Sequence, residues 1–431
     1  MLMCILKISA MTIFSKNLYS EVHRSLQVLL FLSPSFSDKV RSNLSSFKIF
    51  SRKESSFVPK RVLVLTKISR YQFEKMREPD LDESLLRLKL KERGSDYEAM
   101  LTSHYRNKAA ELRTAEVLRN LNIEYKIMDR LSIDSSSVAW ADLILPVGGD
   151  GTFLLASNLI TDNKKPIMGI NSDPESSEGF LLLPAKYTED ITEIFRKLKD
   201  GEYKFVMRRR IRITLKGDNI WGPPSHLHEK CRTSSNQRLY FEKEEDMVDT
   251  TQELPEERRI PWLALNEVFI GEILSARTSS LLIKLDEEEQ YHKIKSSGLC
   301  VSTGTGSTSW FRSISCLSPQ TVKEVLSLAE PQKTYLNEEA EKICSEYNNR
   351  LQFSEEDARM NYAIRDMIVS ETWPLPKSMH PRGYCMKVMV RSLCHDSALV
   401  IDGGISIPFP MGTIAILETY PEDSLRNVVL E

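Results

Sequence analysis

The stretch "DLILPVGGDGTFLLAS", residues 142–157, narrows the choice of folds more than any other part of the chain. Leu143 to Val147 is a short, wholly apolar run, as a strand carries when both of its faces are buried in a helix-covered parallel sheet. Phe153 opens a second apolar run of helical character. Between the two, Gly148, Gly149 and Gly151 remove every side chain except that of Asp150, so backbone N–H groups can approach a ligand closely. A strand, a glycine turn and a helix start together predict a phosphate site, because the first N–H groups of a helix are unpaired and its dipole favours negative charge.

The flanking sequence extends the pattern. "KRVLVLTKIS" predicts a first strand, "IEYKIMDR" a second, the run at 143–147 a third and "KKPIMGIN" a fourth. "ESLLRLKLKERGSDYEAMLTSHYRNKAAELRTAEVLRNLN" reads mostly as helix, interrupted near Gly94. Alternation of this kind predicts a Rossmann-like α/β domain over residues 58–203, with ligands beyond the carboxyl ends of its strands, where Asp150 falls. After the amphipathic "TEDITEIFRKLKDG" the texture turns to strands separated by turn signals, predicting a β-rich, sandwich-like domain over residues 204–410. Two insertions interrupt it. Residues 217–259 are polar and predict a mobile excursion, whereas residues 318–362 read as helical, with Ser318 and Pro319 as cap and first-turn residue.

A chain of 431 residues with 41% hydrophobic and 27% charged content is that of a globular protein with real cores. The net charge of -2 gives no pull toward nucleic acid or acidic membranes, and no apolar run approaches the ~20 residues of a membrane span. The seven cysteines form no C-x-x-C pair, which argues for a reducing compartment without a disulfide framework. Before Glu54 the only acids are Glu21 and Asp38, set among eight lysines and arginines and many serines, from Lys7 to Lys53. Residues 1–57 therefore read as a mitochondrial transit peptide, the alternative being a disordered tail without an address.

Asp150 is an acceptor-only side chain aimed where phosphates are expected, which suits a general base for an attacking hydroxyl or a partner of Mg²⁺. Its plainer reading is a helix-capping turn. "GTGSTS", 304–309, lacks the last glycine of a dinucleotide fingerprint and its βαβ context; Thr305, Gly306, Ser307 and Thr308 are expected to form a turn whose hydroxyls and N–H groups face a nucleotide. His226, His228 and Cys231 have ligand-like spacing but are too few for zinc, and no metal-ligating residues are predicted. "RRRIR", 208–212, reads as a solvated strand edge.

"PVGGDGTFLLAS" matches a signature of the NAD kinases that diacylglycerol and sphingosine kinases share in part. "MGINSDPESSEGFLL", "ALNEVFIGE", "GLCVSTGTGSTSW" and "VIDGG" resemble further NAD kinase motifs in family order from about residue 61 to residue 420, and the lipid kinases lack the second and third. The presequence, the insertions and "VLVLTKISRYQFEK" resemble the mitochondrial branch of that family. The resemblance implies transfer of the γ-phosphoryl group of ATP to the 2′-hydroxyl of the adenosine ribose of NAD, with Asp150 as base and Mg²⁺ on the ATP. It assigns Gly148, Gly149, Gly151, Thr152 and Asn171 to phosphate or nucleotide, and Asn266, Glu267, Arg277, Thr305, Gly306, Ser307, Thr308 and Asp402 to NAD. It further implies a homodimer in the mitochondrial matrix and a return of residues 411–431 to the first domain. Three positions depart from the family: Ser297 stands for an aspartate, Gly304 for a proline and Trp310 for a tyrosine. The alternatives are a lipid kinase, or a non-catalytic NAD(P) sensor that has kept the pocket.

Overall fold

The strand β1 (Arg61–Thr66) is buried from its second residue onward, and its alternate side chains serve two different cores. Val62 and Val64 join Leu143, Leu145 and Val147 on one face, while Leu63 and Leu65 join Ile144 and Ile167 on the other. Continuous apolar runs are needed because both faces are covered. The structure, a computed structural model, describes residues 55–226, 255–373 and 379–430.

In the first sheet the order is β2 (Glu124–Asp129), β1, β3 (Leu143–Gly148), β4 (Pro166–Ile167), β20 (Leu425–Leu430) and β6 (Tyr203–Arg208), with β5 (Ile170–Asn171) beside β3. Both β2 and β3 run parallel to β1, on opposite sides of it. The winding direction thus reverses at β1, and the crevice of such a switch point opens at the strand carboxyl ends. The fourth predicted strand is divided into β4 and β5, and the absent side chain of Gly169 between them leaves room for Phe153 and Leu182.

The helices of this half among the described residues are α1 (Arg70–Arg77), α2 (Glu83–Glu92), α3 (Tyr97–Asn120), α4 (Ser135–Trp140), α5 (Asp150–Asn158), α6 (Lys186–Glu189) and α7 (Ile191–Asp200). Ser69, Asp82, Asp96, Asp134 and Asp190 cap α1, α2, α3, α4 and α7, each side chain accepting a first-turn N–H. Gly94 and Gly201, at φ 75 and 69, interrupt α2 from α3 and end α7 in the left-handed conformation that glycine adopts freely. The sequence reading missed α1, whose one local signal is the Ser69 cap. Ser55 and Phe57, read with the presequence, already bond to this half: Tyr203 donates to the Ser55 carbonyl at 2.9 Å and Phe57 N–H to Leu198 at 3.0 Å. Residues 1–54 lie outside the described residues.

Two antiparallel sheets build the remainder. One has the order β15 (Arg382–Cys385), β14 (Met360–Arg365), β13 (Gly298–Ser302), β10 (Glu267–Glu272), β17 (Ser397–Ile401), β18 (Ile405–Pro408) and β8 (Ser225–His226). The other runs β12 (His292–Ser296), β11 (Ser279–Leu285), β16 (Lys387–Ser392), β19 (Ile414–Thr419), β7 (Ile211–Lys216) and β9 (Glu257–Arg259). Strict alternation of buried and half-buried residues on β7 and β11 marks one inward face. Val268, Ile270, Leu299 and Val301 of one sheet share a core with Leu281, Ile283, Val388 and Val390 of the other, so the two form a sandwich. The outer face at Cys300 and Ala363 is covered by Phe311 of α8 (Trp310–Ser315).

The two insertions differ in the elements they carry. Of residues 217–259, Ser225–His226 pairs with β18 and Glu257–Arg259 with β7, and Arg258 donates to the carbonyls of Ile220 and Gly222 at 3.1 and 3.2 Å. Residues 227–254, with His228 and Cys231, lie outside the described residues. The second insertion is a helical hairpin, α9 (Pro319–Ala329) and α10 (Asn337–Asn349), closed on Val322, Ala340 and Cys344. No helix among the described residues is long and apolar enough to cross a membrane. The described cysteines, Cys300, Cys316, Cys344, Cys385 and Cys394, are free.

Candidate active site

At the crevice, α5 begins differently from the helices capped by Ser or Asp. Its cap is Gly149, which offers no side-chain acceptor. Thr152 N–H turns back to the Gly149 carbonyl at 2.9 Å, so it is not free for a ligand; the N–H groups of Gly149, Asp150 and Gly151 have no acceptor among the described residues. A Cβ on Gly148 would lie 2.7 Å from the Thr152 Cβ, whereas a Cβ on Gly151 would meet no atom within 4 Å and points into open space. Unpaired donors beside open space at the positive end of a helix form an anion site.

Asp150 is fixed rather than free-swinging. Its two oxygens accept from Phe180 N–H at 3.1 Å and Leu181 N–H at 2.9 Å, and each keeps a further lone pair. The loop that supplies those donors is shaped by Asn171, whose Nδ2 donates to the Ser177 carbonyl at 2.8 Å and whose Oδ1 accepts from Asp173 N–H at 3.1 Å. Asn171, expected at the nucleotide, is thus tied into the loop that holds Asp150. Gly179, at φ 68, must be glycine twice over, because a Cβ there would also approach Asn171 Nδ2 to 2.6 Å.

The sandwich contributes a second group of acceptors. Asn266 and Glu267 sit at the start of β10, both buried, and the Asn266 Oδ1 has no hydrogen-bond partner among the described residues. Glu267 accepts only from Ser309 Oγ, at 3.1 Å, among the described residues. Burial, and secondarily Asp402, push its carboxyl up to about 8. The oxygens of Asp402, at φ 47, accept the backbone N–H groups of Leu265, Asn266 and Glu267 at 2.9, 2.8 and 3.1 Å. They clamp the Asn-Glu corner.

The turn Thr305–Thr308 packs behind that corner, and a Cβ on Gly306 would strike the Asn266 carbonyl. Its hydroxyls all have partners within the chain. Ser307 Oγ donates to the Gly304 carbonyl at 2.6 Å, Thr308 Oγ1 donates to the Thr305 carbonyl at 3.4 Å, and Thr305 Oγ1 accepts from Arg208 at 3.3 Å. Arg277 stands apart, exposed beyond the far end of β10, about 20 Å of extended strand from Glu267.

Sequence reasoning also missed what joins the two groups. Phe153 of α5 and Leu265 share one core, which sets Asp150 and the Asn-Glu corner on neighbouring elements. The run at 208–212 is no solvated edge: Arg210 is fully buried, and Arg212 pairs with Asp423 at 2.6 Å. Arg210 donates to the carbonyls of Ser157, Ile160, Asp162 and Asp423 at 3.0, 2.6, 3.2 and 2.6 Å. It thereby caps the carboxyl end of the helix whose other end carries Asp150.

The sequence that builds this strand, glycine turn and helix is similar to that of known proteins. The sequence profile described as "ATP-NAD kinase N-terminal domain" covers residues 82–203. The human protein named "NAD kinase 2, mitochondrial" is 39% identical over 387 residues, covering 88% of this chain and 86% of its own. The chain belongs to the NAD kinase family. The protein of the same name from Xenopus tropicalis is 34% identical over 416 residues, covering 91% of this NAD kinase and 96% of its own length.

The structure gives reasons for two of the departures from the family. Gly304 faces the backbone of Ser354, in the segment after α10, and a Cβ there would meet the Ser354 carbonyl. That segment is tied down by Phe353 N–H to Ser307 Oγ at 3.4 Å and by Arg209 N–H to the Glu355 carbonyl at 2.8 Å. In this NAD kinase Gly304→Ala is expected to lower stability by about 1–3 kcal/mol in urea unfolding, because the clash is with backbone; an unchanged midpoint would show that the segment moves aside at no cost. Trp310 stacks on Phe269 with ring centroids 4.3 Å apart, a broader cover than a tyrosine gives. Nothing in the structure explains Ser297.

Glu267 makes this NAD kinase's stability depend on pH in a defined direction. Its folded-state carboxyl lies above the ordinary range, so between about 4.5 and 8 the folded protein holds a proton that the unfolded chain has released. Stability contributed by this group is present below that window and declines as pH rises through it. Glu267→Gln is expected to be more stable than the unaltered chain at pH 9 by roughly 3–5 kcal/mol, and by little at pH 4. Urea titrations at both pH values check this; equal differences at the two would contradict it.

Proposed function

We propose that this NAD kinase transfers the γ-phosphoryl group of ATP to the 2′-hydroxyl of the adenosine ribose of NAD, giving NADP in the mitochondrion. The observation that carries the reading is the Asp150 carboxylate, held by two backbone donors at the open start of α5 on the strand side of the switch point. A sugar hydroxyl is a poor nucleophile at neutral pH, and a positioned carboxylate contributes about 10²–10⁴-fold by taking its proton. The ribose oxygen attacks the γ-phosphorus as Asp150 accepts the proton, and the bond to the bridging oxygen breaks to release ADP. Magnesium enters on the triphosphate, as part of the substrate, and screens its charge. Phosphoryl transfer is chiefly positioning and electrostatics, which the N–H groups of Gly149, Asp150 and Gly151 serve without side-chain obstruction.

The acceptor side fits an adenosine. Asn266 Oδ1 and the Glu267 carboxylate are buried and short of donors, and a ribose diol with an adenine amine brings the donors they lack. Binding that donates to Glu267 favours its charged form and releases a proton. A homodimer in the matrix is part of this reading; β15 is an edge strand with Tyr384 and Met386 exposed beside it.

The test is the purified chain with MgATP and NAD, assayed for NADP enzymatically and for the 2′-phosphate by mass spectrometry. Phosphate on a sphingoid base or diacylglycerol, with none on NAD, would replace the reading by a lipid kinase. NAD binding without turnover would replace it by a sensor. Light scattering and protease protection after import into isolated mitochondria check the dimer and the location.

A further inference from the structure

Arg208 ends β6 at the point where the chain leaves the first sheet for β7. Its two successors are occupied: Arg209 bonds the Glu356 carbonyl through Nε at 3.3 Å, and Arg210 has the four carbonyls described above. Arg208 is not so occupied. Among the described residues its Nη1 makes one long contact, 3.3 Å to Thr305 Oγ1, and its buried Nε has no hydrogen-bond partner. The attractive charges it feels are Glu355, from the segment packed on Gly304, and Asp150, too distant for an ion pair. Burial pulls the guanidinium below its ordinary pKa, and both carboxylates oppose this.

Arg208 is half-buried, and a cation whose Nε is shut off from water with no acceptor is unfavourable unless an anion completes it. The guanidinium fork matches two phosphate oxygens, and its position between the Asp150 turn and the Thr305 turn puts it where a transferring phosphoryl group would pass. We propose that Arg208 binds the γ-phosphoryl group of the triphosphate, its Nε and one Nη donating to two non-bridging oxygens, and meets the charge that builds there during transfer. The guanidinium stays protonated throughout; the bonds made and broken are those at phosphorus, and the proton goes to Asp150. This rests on the phosphotransferase reading, though not on NAD being the acceptor.

The test compares the full chain with Arg208→Gln and Arg208→Lys. Calorimetric titration with Mg²⁺ and the non-hydrolysable β,γ-imido analogue of ATP, against MgADP and without NAD, reads the γ-phosphoryl contact alone. The unaltered chain is expected to prefer the triphosphate, and Arg208→Gln to lower that preference about tenfold while ADP binding changes less than about threefold. Turnover is expected to fall about 10²–10³-fold in Arg208→Gln with little change in KM for NAD, and less in Arg208→Lys, which keeps charge but loses the fork. Absence of a triphosphate preference in the unaltered chain, or an undiminished one in Arg208→Gln, overturns the proposal. Should the glutamine variant unfold, Arg208→Lys decides by the same titration. An unaltered chain that prefers triphosphate yet makes no NADP would sink the NAD reading and leave Arg208's contact standing.

Discussion

Replacing Asp150 by asparagine is expected to slow NADP formation by about 10²–10⁴-fold, equivalent to roughly 3–5 kcal/mol on the barrier, with NAD binding unchanged. The size follows from what is removed: the amide cannot take the 2′-hydroxyl proton, yet it occupies the same volume. A smaller structural effect accompanies it. Each carboxylate oxygen of Asp150 accepts one backbone N–H, from Phe180 or Leu181, and an amide can serve only one of them. The stranded donor costs about 1–3 kcal/mol of stability, which urea unfolding measures separately from rate. A variant that still turns over within threefold of the unaltered chain removes Asp150 as the base. One that loses NAD affinity in proportion to rate makes it a binding residue instead.

Replacing Arg210 by methionine is expected to have the largest effect on stability, about 3–5 kcal/mol. Methionine approximates the length of the side chain but removes the donor that Arg210 gives to the carbonyls of Ser157, Ile160, Asp162 and Asp423 in a fully buried place, although Ser157 keeps the Ile160 N–H at 3.2 Å. Two of those carbonyls, at Ser157 and Ile160, lie at the end of α5, so the loss falls on the helix that aims Asp150. We expect a lowered urea midpoint together with a fall in turnover that NAD saturation does not restore. Full stability in Arg210→Met would mean that the loop at 159–162 finds other donors.

Asp150 and its turn could be located from residues alone because every determinant is local. The apolar run, the three glycines and the start of α5 lie within 142–157. The same holds for α7, whose Asp190 cap and Gly201 stop bracket an amphipathic run. The arginines at 208–212 were misread because their partners are remote: Asp423 for Arg212, and carbonyls near residue 160 for Arg210. Alternating charge on a strand looks solvated until those partners are in place. The hydrogen bonds of the Thr305–Thr308 hydroxyls were not legible for a related reason. Turn propensity gives a bend but not the side on which its oxygens find partners, and part of that side is set by Phe353. The clamp that Asp402 makes on three N–H groups was not legible either, since a left-handed aspartate so used has no sequence spacing to mark it.

The strand β20 lies between β4 and β6, pairing Arg426 with Pro166 and Leu425 with Arg208. An interior member of the nucleotide-binding sheet is thus encoded beyond the whole sandwich. A ribosome, or an import pore threading the chain amino end first, would deliver most of the phosphate-site half long before it can close. Until residue 430 emerges, β4 and β6 present bare edges to other chains. A substitution in β20 such as Val428→Asp, which sets a carboxylate in the buried core, would weaken the finished molecule and also prolong the interval in which those edges need a chaperone.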